Sequence, residues 1–503
     1  MIAEPEWTER AEKRGLDPLG MQNAGVALYQ ELLPGISNVT LRMRYYGYYC
    51  WVSDAYARSG ATDKFKAWQS WVRRAEALYA LVSSLATGQN GVGGVDWANR
   101  RLALDEDVID FAEAASNKDS AARYLRQSLG VFGGAYYSQM VELGLFRLGE
   151  HGIQRTTNGL GCAAADAFRE SIGDKIETIL LQAIKSARIT RKELTKLAPI
   201  IPSEIPELSS ERQAYQNLLF AQSSGNEGDV SRTASLRLIL DTARTMGARP
   251  SPEDIRWHLF DTPSFRDNAM DAQRVRWETY HCQDLFQVAA AALLQWTTDL
   301  MAESDAGRTP AEIEHEIRAR LKEKKPKKAL WSWRKFREDL NTEDFDYRGA
   351  WDSLTSARGT PEQKSWDTVR LIAALDQRLA EREELQNTCR SELKKVGGGR
   401  SIVTELEWFG QRAEIPVADL IASYAIERIV RRHSWVAMQK LRRQHDYTFL
   451  FEVHEGRLVR RRGYAPVATT PRLFPAVQFL TDIGLVDANG ATARGRALLR
   501  GNG

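Results

Sequence analysis

Between Leu19 and Leu33 the apolar residues return at helical spacing, and Leu33-Pro34-Gly35-Ile36-Ser37-Asn38 then reads as a turn with a capping residue. A second helix is predicted from Val39 to Arg58, with Leu41, Tyr45, Tyr48, Val52 and Tyr56 on one side as a core face. Arg42 and Arg44 stand two positions apart, on nearly opposite sides of that helix, so they cannot form one phosphate clamp through it. A third helix, Lys64 to Leu85, carries Trp68, Trp71 and Leu78 in the same pattern and ends at the glycine-rich run from Gly88 to Gly94. That run lacks the Lys-Ser/Thr ending and the preceding strand of a phosphate-binding loop.

From 173 to 320 the pattern is almost wholly helical, broken by the proline-containing stretch Ala198 to Pro206, where a domain junction is expected. A helix is expected to begin at Ala234, and Leu285, Phe286, Val288, Ala289, Ala292 and Leu293 predict a buried one. The loop from Lys394 to Arg400 is cationic and opens the last segment. There Tyr447, Phe449, Phe451 and Val453 alternate, His454-Glu455-Gly456 supplies a turn, and a hairpin is predicted.

One phrase occurs twice. An apolar helix is followed by Leu143-Gly144-Leu145-Phe146 and then Thr156-Thr157-Asn158-Gly159; near the C-terminus come Ile483-Gly484-Leu485-Val486 and then Thr492-Ala493-Arg494-Gly495. Gly closes the helix, the apolar pair starts a strand, Thr caps the next helix and the second Gly keeps its start uncrowded. This order resembles the end of a winged-helix domain, which implies binding to DNA or docking of proteins.

The chain has 503 residues, which predicts several cores rather than one. The expected division is a helical domain over 1–172 ending in a winged-helix-like element, a helical scaffold over 173–320, a basic connector over 321–400 and a winged-helix-like domain over 401–503. The expected fold class is mainly α, multidomain, with winged-helix-like elements and a short β-hairpin near the C-terminus. With 69 basic and 66 acidic residues the net charge is only +3, so a nucleic-acid surface has to come from local clustering.

Cys50, Cys162, Cys282 and Cys389 are far apart and form no C-x-x-C pair, which points to reduced thiols and no structural zinc. The acidic start Met1 to Glu6 has no apolar core of signal-peptide length, and no apolar run reaches the roughly 18 residues a membrane helix needs. A cytoplasmic protein without membrane contact is expected.

Two clusters carry the nucleic-acid reading. Lys324, Lys325, Lys327 and Lys328, after Lys322, lead into Trp331, Trp333, Arg334 and Lys335, cations for phosphates beside indoles for bases. The bland alternative is a solvated helix end followed by core tryptophans. Arg457, Arg460, Arg461, Arg462, Arg494 and Arg496 surround the second copy of the repeated phrase, and Arg472 lies beside it. Such contacts give affinity without base choice.

Arg428 to His433 resembles the Arg-x4-His spacing of HEPN-type ribonucleases, which implies a His acid or base beside a charge-stabilising Arg, although Ile429 stands where those sites carry a polar residue. A basic surface helix with a structural His is the competing reading. The seven histidines form no metal set, and no H-E-x-x-H, G-x-S-x-G or Walker motif is present. No cofactor, metal or catalytic residue is assigned.

The phrase from Leu32-Leu33-Pro34-Gly35-Ile36-Ser37 to Arg42-Met43-Arg44-Tyr45-Tyr46 resembles an uncharacterised bacterial family with a Phe-Pro-Gly-x-Ser-Thr-type turn before an Arg-containing aromatic helix, Leu33 standing in place of the Phe. The likeness extends to Arg232-Thr233-Ala234-Ser235-Leu236 and the first Leu-Gly-Leu and covers about half the chain. It implies a place in a multi-gene anti-phage or DNA-modification system, with DNA and protein subunits as partners. The expected function is a non-catalytic DNA-binding or assembly subunit; a divergent nuclease and a purely protein-binding adaptor are the alternatives.

Overall fold

The computed structural model describes residues 17–60, 62–86, 91–116, 123–125, 127–221, 226–396 and 400–499. The expectations for Met1 to Glu6, for Gly88 to Asn90 and for Gly397 to Gly399 lie outside the described residues. The protein is mainly α-helical, and its strands form two-stranded antiparallel sheets. Among the described residues no helix is long and apolar enough to cross a membrane.

The chain makes two compact units, each built from separated stretches: 17–28 with 275–469, and 29–274 with 470–499. The expected boundaries at 172/173 and in the proline stretch near 198–206 fall inside the second of these. There Ile200, Ile201 and Ile205 are buried, and the carbonyls of Pro199 and Ile201 accept from the Arg44 guanidinium at 2.5 and 2.7 Å.

The second unit is built round the helix Arg44–Arg58, twelve of whose residues are buried. Its predicted start at Val39 is too early. Val39 is exposed, and residues 37–40 are held as a turn by Thr40, whose hydroxyl donates to Ser37 O at 3.0 Å and accepts from Ser37 N at 2.8 Å. The aromatic residues of this helix are not confined to one stripe: Tyr45, Tyr46, Tyr48, Tyr49 and Trp51 are all buried, and Tyr48 stacks on Tyr79 with ring centroids 4.3 Å apart.

Two cations at the start of this helix are buried with their counter-ions. Arg44 meets Glu211 at 2.9 Å and Arg42 meets Asp482 at 3.1 Å. Arg42 lies before the helix rather than on its opposite side, so the predicted helical geometry does not apply to the pair, and each has its own carboxylate. Glu76, buried nearby, accepts from Tyr49 Oη at 2.8 Å and from the N–H groups of Val131 and Phe132 at 3.0 and 2.6 Å. Burial pushes its carboxyl up to about 7 against those donors.

The helix expected from Ala234 is longer, Glu227–Met246, because Asn226 caps it by accepting from Gly228 N at 3.0 Å. The helix Asn268–Ala302 contains the predicted buried run and contributes its C-terminal part to the first unit. In that unit Glu278 is enclosed with Arg378 at 2.6 Å and with Arg382. Glu405 takes Arg428 at 2.7 Å, Arg432 at 2.5 Å and the Tyr424 hydroxyl at 2.9 Å.

The predicted hairpin is present as Phe451–His454 paired with Arg457–Arg460, with His454 opposite Arg457. Its turn is Glu455-Gly456, both at positive φ (50° and 75°), the two-residue geometry that matches strand twist. The alternation from Tyr447 is only partly used, since the strand begins at Phe451 and Val453 is exposed. The hairpin is tied to Arg308, whose N donates to Leu458 O at 3.1 Å and whose O accepts from Leu458 N at 2.7 Å.

Candidate nucleic-acid interface

The repeated phrase folds into the same hydrogen-bonded form twice, in both cases within the second unit. The first copy runs through the helix Tyr137–Glu142, the hairpin of Phe146–Leu148 and Gln154–Thr156, and the helix Leu160–Ile172. The second runs through Leu473–Asp482, the short pair Val486–Asp487 and Gly490–Ala491, and Ala493–Leu499. Leu145 N donates to Met140 O at 2.8 Å, and Leu485 N to Leu480 O at 2.8 Å. Thr157 Oγ1 donates to Gly144 O at 2.7 Å and accepts from Gly161 N at 3.0 Å; Thr492 Oγ1 donates to Gly484 O at 2.9 Å and accepts from Gly495 N at 3.2 Å. The matching residues are thus Thr157 and Gly161, rather than the Thr156 and Gly159 the sequence pattern selects. A Cβ would lie 2.2 Å from Leu145 O at Gly161 and 2.3 Å from Leu485 O at Gly495, whereas nothing lies within 4 Å at Gly159.

A pair of carboxylates that sequence reasoning missed connects the copies to the turn before the central helix. Glu142 and Asp482 each stand two residues before the turn glycine, and they accept from Gly35 N at 2.7 Å and Met43 N at 3.0 Å. Tyr46 lies between, edge-on to Tyr136 and Phe479 with centroids 5.5 Å away in both cases. Arg472 closes the arrangement by donating to Leu33 O at 3.0 Å. Only the matching phrase positions signalled this in the sequence.

The surfaces of the two copies differ. Val141, Leu148 and Leu160 of the first are exposed. The helix Leu473–Asp482 is largely buried, with Phe474 as its exposed large side chain, so its length is packed inside the unit rather than presented outward.

The predicted arginines fall in different units and have internal partners. Arg457 meets Glu312 at 2.8 Å, Arg460 meets Asp299 at 2.8 Å and Arg461 meets Glu452 at 2.6 Å, while Arg462 donates to Thr448 O at 3.3 Å. In the other unit Arg494 donates to Gln216 Oε1 at 2.9 Å and Arg496 to Ala491 O at 2.6 Å. Part of each guanidinium is therefore already committed within the protein.

The lysine segment is more open. The helix Pro310–Lys324 ends at Lys325, and a short helical turn, Pro326–Ala329, restarts the chain in a new direction with Pro326 at its first position. Lys324, Lys325, Lys327 and Lys328 are all exposed. Lys324 donates to Glu362 O and Lys328 meets Asp339 at 3.2 Å, whereas Lys325 and Lys327 have no ion pair among the described residues. Lys322 lies 3.6 Å from Asp419, and Arg334 meets Glu414 at 2.7 Å.

The two indoles of this segment part company. Trp331 is half-buried with Lys335 Nζ 4.6 Å and Lys328 Nζ 5.4 Å from its ring centroid. Trp333 is buried, packs on Phe409 with centroids 4.6 Å apart and donates to Asp376 Oδ2 at 2.7 Å. The bland reading therefore holds for Trp333.

His433 is also structural. Its ring is buried, Nδ1 is 3.1 Å from Pro18 O, and Nε2 is 3.0 Å from Leu450 N. Leu450 N can only donate, so Nε2 is the acceptor and Nδ1 carries the proton. Burial pushes the imidazole down to about 4, and Arg428 is engaged with Glu405. Both ring nitrogens of His433 are thus occupied inside the protein, and Arg428 spends Nε and Nη2 on Glu405.

Among the described residues no group of three or more His, Cys, Asp or Glu side chains is placed to hold a metal ion. Comparison with protein-family models, with curated proteins and with solved structures gave no match.

Proposed function

We propose that the protein is a non-catalytic DNA-binding or assembly subunit, gripping the DNA backbone through the lysine edge at Lys324, Lys325, Lys327, Lys328 and Lys335. The observation that carries this reading is the exposure of those lysines, with Lys325 and Lys327 making no ion pair among the described residues. Cations without an internal partner can neutralise phosphates and release counter-ions at no competing cost. The two helix–hairpin–helix copies support a winged-helix-like role, and the resemblance of the Leu33 to Tyr46 phrase supports a place in a bacterial anti-phage or DNA-modification complex.

The test is retention of duplex DNA by the purified chain across a salt series, with magnesium present and product lengths checked. Binding without cleavage is expected. Charge reversal at Lys324, Lys325, Lys327 and Lys328 is expected to reduce the salt slope by about 3 to 4. No binding at low salt overturns the reading, and cleavage would turn it toward the nuclease alternative.

Exposed Val141, Leu148 and Leu160 favour the second reading, a protein-docking adaptor. Stable assembly with partner subunits by a chain that has no DNA affinity would select it.

A further inference from the structure

The helix Arg431–Gln444 contains Arg431, Arg432, Lys440, Arg442 and Arg443 and no acidic residue. Its inner side is fixed by buried His433, Val436 and Ala437. Arg431, Trp435, Met438 and Arg442 recur at four-, three- and four-residue steps, so they share one face, and all four are exposed. Trp435 leaves 49% of its surface in solvent, and the Arg400 guanidinium lies 4.2 Å from its ring centroid.

The charges on this face are unbalanced. Arg431 and Arg442 on this face, and Arg443 one position round the helix from Arg442, have no ion pair among the described residues, in contrast to the paired arginines of the hairpin. Four carboxylates lie near: Glu405 is engaged by Arg428 and Arg432, Asp17 by the N–H groups of Met21 and Gln22 at 3.1 and 3.0 Å, Glu427 stands 4.0 Å from Arg412, and Asp446 acts on Lys440. Burial and the neighbouring Arg432 and Arg443 charges hold Arg400 below the usual guanidinium range, against an opposing pull from Asp17. A crowd of cations around an accessible indole is complementary to a polyanion that carries free aromatic faces.

We propose that this face, with Arg400 beside it, is a seat for single-stranded DNA, in which Arg431, Arg442 and Arg443 meet phosphates and an unpaired base stacks on Trp435. The inference rests on the nucleic-acid reading above and names a second contact and the form of DNA it takes. Bases within a duplex are covered by their neighbours, so a flat indole at the surface is useful only to an unpaired strand. Arg431 and Arg442 are about 16 Å apart along the helix axis, room for several nucleotides. The apolar exposure is confined to Trp435 and Met438 between arginines, narrower than the broad apolar face that inserts into lipid. DNA is the strand chosen because the reading above is of a DNA-binding subunit, and Ser434 beside the face spends its hydroxyl proton on Val430 O at 3.3 Å.

The test uses the full chain and a labelled oligothymidine of about 20 nucleotides, with anisotropy read across a salt series. Trp435→Ala is expected to weaken binding by about fivefold to a hundredfold with little change in salt slope, and Trp435→Phe to retain most of the affinity. The combined Arg431→Gln, Arg442→Gln and Arg443→Gln variant is expected to reduce the slope by about 2. Because these side chains are exposed, unchanged circular dichroism and melting verify that the variants are folded.

Wild-type affinity in Trp435→Ala and in the triple arginine variant, with binding lost only on charge reversal of the Lys324 to Lys328 edge, overturns this inference and leaves the function above standing. Tighter binding of oligouridine than of oligothymidine overturns the choice of DNA. Capture by phosphatidylserine vesicles without oligothymidine affinity assigns the face to a lipid surface and overturns the proposal. Failure of the wild type on every nucleic acid overturns both readings.

Discussion

Glu142 and Asp482 hold equivalent positions in two copies of one motif, and each accepts a backbone N–H from the segment entering the central helix, Gly35 for one and Met43 for the other. The two differ in burial: Glu142 is exposed, while the Asp482 side chain is 2% exposed and also holds the Arg42 guanidinium. Asp482→Ala is expected to destabilise the protein by about 3–5 kcal/mol, because it removes the carboxylate that faces a buried guanidinium. Glu142→Ala is expected to cost about 1 kcal/mol. Urea unfolding of the two variants measures the difference.

The threonine bridge predicts paired effects. Thr157→Val and Thr492→Val each remove a hydroxyl that donates to one glycine and accepts from another, at an expected cost of about 1–2 kcal/mol. Gly161→Ala and Gly495→Ala place a methyl against a carbonyl oxygen that cannot swing aside, at an expected cost of about 2–4 kcal/mol. Equal losses in the two copies, read by thermal melting, are the signature of a shared geometry.

His433 gives a pH dependence of known sign. Its folded value near 4 lies below the usual 6.5, so on acidification the unfolded chain takes up the proton first. The contribution is fully present above pH 6.5 and is lost as the pH falls from there to about 4, amounting to about 3 kcal/mol. His433→Asn should flatten that part of the stability profile in urea unfolding at stepped pH. RNA incubated with the same variant should show no change from wild type.

Trp331 and Trp333 should separate cleanly. Trp333→Ala removes a buried indole and its hydrogen bond to Asp376, which keeps Arg337 at 3.4 Å, at an expected cost of about 3–5 kcal/mol. Trp331→Ala is expected to change stability by less than about 1 kcal/mol, since its ring is half-buried under lysines. Guanidinium unfolding distinguishes the two, and a large loss at Trp331 would contradict the placement.

Much of the local architecture was legible. The helices near Leu19, Lys64 and Leu285 follow from apolar spacing, and the hairpin follows from alternation and Glu455-Gly456, because these signals act between near neighbours. The phrase carried by Leu143-Gly144-Leu145 and Ile483-Gly484-Leu485 was legible as a repeat, but Gly161 was not legible as the partner of Gly495. The first copy spaces its threonine and glycine by four residues and the second by three, and only the carbonyl each glycine approaches identifies the match.

The sequence alone determined the helical character, the position of the C-terminal hairpin and the presence of basic clusters, since propensity, periodicity and charge are properties of short stretches. Tertiary structure decided which charges remain available. Arg457, Arg460 and Arg461 find carboxylates brought near by folding, while Arg431, Arg442 and Arg443 find none among the described residues. It also decided that Trp333 and His433 belong to the core and that Glu142 and Asp482 serve one connecting segment. Counter-ions and burial are supplied by residues distant along the chain, and no local pattern encodes which distant residue arrives.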